Sequence, residues 1–182
     1  RELRVPGSTT QGIRALLTGA IDRVRSQAEM GSGEQLLRYW VDGIAAPKIS
    51  WRLPAFGPAV QTGLQAYIEN GGNDPLFLNV CRWLEGEVSN KDVARAVGTS
   101  PVSRNERDLH GGRALLSIYQ FIRHAGFRGT VVGFDEAEQS MSTDRKSTAR
   151  ILSMLQSSIN AMADLQGGSA LVFYAVTPDI AD

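Results

Sequence analysis

Two adjacent carboxylates, Asp135 and Glu136, are the residues of this sequence best placed to do chemistry. They close the stretch Gly129-Thr130-Val131-Val132-Gly133-Phe134-Asp135-Glu136-Ala137-Glu138, which reads as a short apolar strand ending abruptly in acid. Open α/β folds bind ligands outside the carboxyl ends of their strands. An acid released there can hold Mg²⁺ on a nucleotide, and a second can polarise the attacking water. On this reading Asp135 holds the metal and Glu136 is the catalytic base. The competing reading is a solvated acidic turn, and Glu138 fits a solvent-facing position.

Placing these acids requires a second strand. Ala170-Leu171-Val172-Phe173-Tyr174-Ala175-Val176 is another apolar run, closed by Thr177-Pro178-Asp179. An amphipathic pattern from Asp144 to Leu165, carrying Ile151, Leu152, Leu155, Ile159 and Met162, separates the two. Strand, helix, strand at this spacing predicts a right-handed parallel unit. The arrangement resembles the Walker B and sensor strands of P-loop ATPases of the AAA+ type. That resemblance makes Thr177 the nucleotide-sensing residue; otherwise Thr177 is a turn hydroxyl before Pro178. Arg145 and Arg150 flank the crossover helix as candidates for phosphate contact, or as ordinary surface arginines.

The usual companion of such acids is absent from the sequence. A phosphate-cradling loop reads G-x-x-x-x-G-K-[ST]. The three lysines are Lys48, Lys91 and Lys146, and none follows a glycine. Gly31-Ser32-Gly33 and Gly167-Gly168 lack both the lysine and a strand-before-helix setting. The expectation is that this stretch alone binds ATP weakly and hydrolyses it negligibly. It opens with Arg1 and stops at Asp182 just after the second strand, so both ends read as cuts through a larger protein.

Upstream, the pattern is helical. Ile13, Leu16, Leu17, Ala20, Ile21 and Val24 have helical spacing that fades at Gly31-Ser32-Gly33. Ser32 and Gln35 suggest a capping box for a helix through Leu36, Leu37, Trp40 and Val41. Pro47, Pro54, Gly57 and Pro58 punctuate a connection. A further helix carries Val60, Leu64, Tyr67 and Ile68 to Gly71-Gly72. Asp74-Pro75 signals the start of another, burying Phe77, Val80, Cys81 and Leu84. Ser89 and Asp92 are read as caps of a short helix stopping at Gly98. A longer helix over 108–125 places Leu109, Leu116, Tyr119 and Ile122 inward, with Gly126 as terminator. The fold expected is α/β, a partial parallel sheet of P-loop type behind a mainly helical first two-thirds. Residues 1–107 form the helical segment and 108–182 the α/β segment of one truncated domain.

Composition excludes several classes. Charge is balanced at 19 basic and 19 acidic residues, so no global field draws nucleic acid or anionic membrane. Cys81 is the sole cysteine, which rules out an intrachain disulfide and suits a reducing cytosol. No apolar run reaches membrane-spanning length. His110 and His124 are isolated, and Trp40, Trp51 and Trp83 have the spacing of core or interface residues rather than a stacking platform. Residues 92–104 resemble a helix-turn-helix, which would make Arg95 and Arg104 DNA contacts.

The order of several blocks resembles one family. Leu53-Pro54-Ala55-Phe56, Arg82-Trp83-Leu84-Glu85-Gly86-Glu87, the Ala125–Glu138 stretch and Phe173-Tyr174-Ala175-Val176-Thr177-Pro178-Asp179 occur in succession. Together they look like the BREX-type ATP-binding proteins of phage-defence islands, a P-loop group related to AAA+ initiator ATPases. The resemblance implies ATP and Mg²⁺ as ligands, with a homo-oligomer or other defence subunits, and DNA, as further partners. It also implies that Asp135 and Glu136 are the Walker B acids and Thr177 the sensor. The rival classes are a non-catalytic scaffold domain and a DNA-binding regulator acting through 92–104.

Overall fold

The structure is a computed structural model, and it describes residues 4–5, 11–27, 32–134, 159–160, 162 and 170–174. It divides into two compact units, residues 1–118 and 119–182. The described part of the first is helical. The second contains a parallel strand pair.

In the first unit the helices are α1 (Gly12–Ser26), α2 (Gly33–Ile44), α3 (Phe56–Asn70), α4 (Pro75–Leu84) and α5 (Lys91–Ala96). A 3₁₀ turn, Arg104–Glu106, leads into α6 (Arg107–His124), within which the division between units falls. All six apolar positions expected on α1 are buried. On α2, Leu37, Val41 and Ile44 are buried, spaced to share one face. Ser32 precedes that helix, but its side chain makes no capping bond, so the capping box does not form.

The third helix begins earlier than the sequence suggests. Gly57 and Pro58 lie inside its first turn, where a proline costs nothing because that N–H has no intrahelical acceptor. Space also selects Gly57, since a Cβ there would fall 2.5 Å from Trp51 Nε1. That indole N–H donates to the Ile44 carbonyl at 2.8 Å, and its ring lies 5.1 Å from Phe56. The loop is further fixed by the Leu53 N–H, which donates to the buried Ser117 hydroxyl of α6 at 2.8 Å.

Asp74 caps α4 as expected. Its Oδ1 accepts from the N–H groups of Leu76 (2.8 Å) and Phe77 (3.2 Å), and Pro75 takes the first helical position. Phe77, Val80 and Cys81 are buried; Trp83 is buried in place of the expected Leu84, which is only half-buried. Burial pushes the Cys81 thiol up to about 12, so it stays protonated and inert. Helices α3 and α4 meet at Gly63, where a Cβ would lie 2.9 Å from Val80 Cβ and Cγ1.

The cap of α5 is Asn90, not Ser89 or Asp92. Asn90 Oδ1 accepts from Asp92 N (3.0 Å) and Val93 N (3.3 Å). Ser89 instead donates to the Val102 carbonyl at 2.9 Å and accepts from Arg107 Nε at 2.8 Å. The helix does stop at Gly98, whose φ of +73° ends it. Residues 99–103 are not helical, so the second helix of a helix-turn-helix is missing from 92–104. The reason is local: Val102 N–H pairs with the Val88 carbonyl at 2.9 Å, holding the segment extended.

Leu109, expected inward on α6, is 60% exposed. The buried residues of this helix begin at Ser117 and continue through Ile118, Tyr119, Phe121 and Ile122, so its first turns are solvated. His110 is half-buried there, edge-on to Trp83 with ring centroids 5.6 Å apart. Burial holds the imidazole below its ordinary value.

This packing leads to two expected outcomes. Gly63→Ala gains about 1 kcal/mol of helix propensity but overpacks Val80 at a cost of about 1–3 kcal/mol. The net should be a lower denaturation midpoint, with Val80→Ala costing less in that background than in the parent chain. For His110, the unfolded chain binds the proton first, so stability should fall as pH drops below about 6.5. Thermal melts across that range check this, and His110→Phe should flatten that part of the pH profile.

Candidate functional site

The amino end of β1 is set by the turn that closes α6. Gly126 adopts φ +83°, and the Phe127 N–H reaches back to the Ile122 carbonyl at 3.1 Å. One side chain then secures the exit. Arg123 Nη1 donates to the carbonyls of Phe127 and Arg128, each at 2.8 Å. An arginine in the last helical turn thus binds carbonyls of the loop that follows the helix, not the helix's own. Sequence reading finds the glycine but misses Arg123, although its place before a terminating glycine carries the signal.

Strand β1 (Thr130–Phe134) runs parallel to β2 (Ala170–Tyr174), paired from Thr130↔Ala170 to Phe134↔Tyr174 without a slip. The last described residues of both strands are therefore level. Asp135 and Glu136 come directly after Phe134 in the chain, and Thr177 comes three positions after Tyr174. Asp135, Glu136, Glu138, Arg145, Arg150 and Thr177 themselves lie outside the described residues. So does most of the crossover expected over 144–165, of which Ile159, Asn160 and Met162 are described as helical.

Two such apolar runs suggest strands buried on both faces, and the structure corrects that reading. Alternation along the strands puts Val131, Gly133, Leu171 and Phe173 on one face. Val131 is 72% exposed, Leu171 54% and Phe173 55%. The other face, with Thr130, Val132, Ala170 and Val172, is half-buried. Continuous apolar composition reads as burial on two faces, but among the described residues the pair is half-buried on one face and exposed on the other. The Thr130 hydroxyl is enclosed on the covered side with no hydrogen-bond partner among the described residues.

No group of three metal-ligating side chains occurs among the described residues. His110 packs on Trp83, which agrees with its structural reading. No described helix is long and apolar enough to cross a membrane.

The four sequence blocks have clear structural parts. Leu53 and Phe56 are core residues at the entry to α3. Trp83 is 2% exposed, and Arg82 grips Glu87 through Nε–Oε1 (3.0 Å) and Nη2–Oε2 (2.6 Å) around the Gly86 turn, where φ is +106°. That fork holds the Glu87 carboxyl below its ordinary value and raises Arg82. The family described as BREX system ATP-binding protein BrxC/D matches residues 40–182, a span that takes in all four blocks. The chain belongs to that family. No curated protein and no solved structure matches it significantly. The BrxC/D match begins in α2 and runs through both strands, so α1 stands outside it.

The open sheet face gives a direct check. Truncating a core phenylalanine costs about 3–5 kcal/mol, whereas surface changes stay near ±0.5 kcal/mol. Phe121→Ala should therefore lower the denaturant midpoint strongly, and Phe173→Ser should move it by less than about 1 kcal/mol.

Proposed function

We propose that this chain is the acid-and-sensor part of an ATPase of P-loop, AAA+-like type acting in a BREX defence system. The observation that carries the reading is the parallel, in-register pairing of β1 and β2. Parallel strands with level ends send the chain on from the same sheet edge, and the sequence that follows is Asp-Glu after β1 and, beyond two further residues, Thr-Pro-Asp after β2. Open α/β sheets bind ligands at that edge. The family description, an ATP-binding protein, supports ATP as the ligand.

The donor set fits a magnesium nucleotide. Mg²⁺ prefers hard oxygen ligands and is commonly held through one or two carboxylates together with substrate phosphates. Asp135 would hold the ion. When bound, Mg²⁺ would supply charge neutralisation at the transferring phosphate. Glu136 would accept a proton from water at its carboxylate and orient that water for attack. Thr177 would offer its hydroxyl to the γ-phosphate, so that the end of β2 distinguishes triphosphate from diphosphate. Arg145 and Arg150 would place cationic donors near the same phosphates. A phosphate loop does not occur in the 182 residues, so those backbone donors and their lysine must come from another segment or another chain. Nucleotide binding by these residues alone should accordingly be weak. The DNA-regulator reading loses its reading helix, and DNA or partner subunits enter only as cargo of the defence assembly.

Mg²⁺-dependent ATP binding and turnover, measured on this chain and on the natural gene product that contains it, test the reading. Glu136→Gln in the longer product should retain nucleotide and lose about 10²–10⁴-fold in turnover. Unchanged turnover would leave the acids as architecture and favour a scaffold.

A further inference from the structure

The corner between α3 and α4 carries the sequence Asn70-Gly71-Gly72-Asn73-Asp74-Pro75, and Asn70-Gly71 is the only Asn-Gly pair in the chain. Glycine leaves its own backbone nitrogen unhindered towards the preceding side chain. In this corner the two groups that would react are both occupied. Gly71 N–H donates to the Tyr67 carbonyl at 2.8 Å, closing the helix. The Asn70 carboxamide donates through Nδ2 to Asp74 Oδ2 at 2.9 Å. The other oxygen of Asp74 is the cap of α4, accepting from Leu76 and Phe77. Asn70 is exposed, and Phe77 beneath the cap is fully buried.

We propose that Asn70 is a guarded deamidation site, and that its conversion loosens the N-terminal cap of α4. The reaction needs no reagent but water. Gly71 N attacks Asn70 Cγ, a new N–Cγ bond forms, and the Cγ–Nδ2 bond breaks. Ammonia leaves with the proton that Gly71 N gives up, and a cyclic imide remains. Water then adds to one imide carbonyl and opens the ring to aspartate or isoaspartate at position 70. The net change exchanges amide and water for acid and ammonia.

The fold decides both rate and consequence. While the Tyr67 and Asp74 bonds hold, neither nucleophile nor carbonyl is free to approach, so conversion proceeds through opening of the α3 terminus. Helix ends open at far lower cost than the core. Once converted, position 70 carries a carboxylate where a donor had faced Asp74 Oδ2. A donor–acceptor pair becomes a like-charge pair at hydrogen-bond distance, which opposes keeping Asp74 ionised. Asn70 is one of the donors that hold the Asp74 carboxyl below its ordinary value, so that support is lost as well. Gly71 itself has φ +83° and open space where a Cβ would stand.

The folded chain and its urea-unfolded form, incubated in the same mildly alkaline buffer, are compared by peptide mapping with mass spectrometry. Asn70 should convert ahead of every other asparagine, and about tenfold or more slowly in the folded chain than in the unfolded one. Asn70→Gln, whose extra methylene disfavours the ring, should abolish conversion at that position. In a second arm, Asn70→Asp mimics the product and should lower the melting temperature by about 2–4 °C, a loss that shrinks as pH falls and one carboxylate is protonated. Equal rates in the folded and unfolded chains overturn the guarding. An Asn70→Asp melting temperature equal to the parent's at every pH overturns the link to the cap.

Discussion

A parallel strand pair can never be closed by a tight turn, because both strands must start from the same end. That constraint governs the second unit of this protein. Residue 134 finishes β1 at one edge, and the chain must return across the sheet before Ala170 can begin β2 at the other. The two strands therefore finish level, Phe134 beside Tyr174. Arg123 and Gly126 contribute on the upstream side. By fixing the exit from α6, they set where β1 begins.

The first unit obeys a different rule, close approach. Gly57 admits the Trp51 indole and Gly63 admits Val80, so two turns of α3 lie flush against their neighbours. The Trp51 bond to Ile44 and the Ser117 bond to Leu53 then satisfy polar groups that this tight packing would otherwise strand. Helical packing of this kind involves neighbours in sequence, with α3 against α4 and α1 against α2.

Much of this is legible in the residues. Asp74-Pro75 announces a capped helix because the side chain and the ring act on their own backbone, and no tertiary context is needed. The parallel pairing is legible from two apolar runs separated by a helix-length pattern. The features that escape are decided by competition or by the surroundings. Asn90 displaces Ser89 and Asp92 as a cap because Ser89 is engaged by Val102 and Arg107 instead. Leu109 lies on a turn of α6 where no core is available to it. The apolar strands promise burial on both faces, but composition reports what a side chain prefers, and exposure depends on which neighbours cover the pair; Val131, Leu171 and Phe173 are exposed. The acids and Thr177 are read from residue type and position in the chain alone, since they lie outside the described residues.

The register of the sheet has a consequence for how the chain folds. Thr130 pairs with Ala170, 40 positions later (170 − 130), whereas the most extensive helix contacts of the first unit link successive helices, with the Leu53–Ser117 bond as a long-range exception. Closing so long a loop costs entropy before any strand bond repays it, and rates fall as contacts become less local. Contacts between successive helices can therefore assemble early, while the pairing of β1 with β2, like the Leu53–Ser117 bond, is expected to come later. During that interval Val131, Leu171 and Phe173 belong to two separate, sticky ribbons. The period in which this protein is most vulnerable to misassociation is thus set by the same long-range pairing that brings its carboxyl edge together.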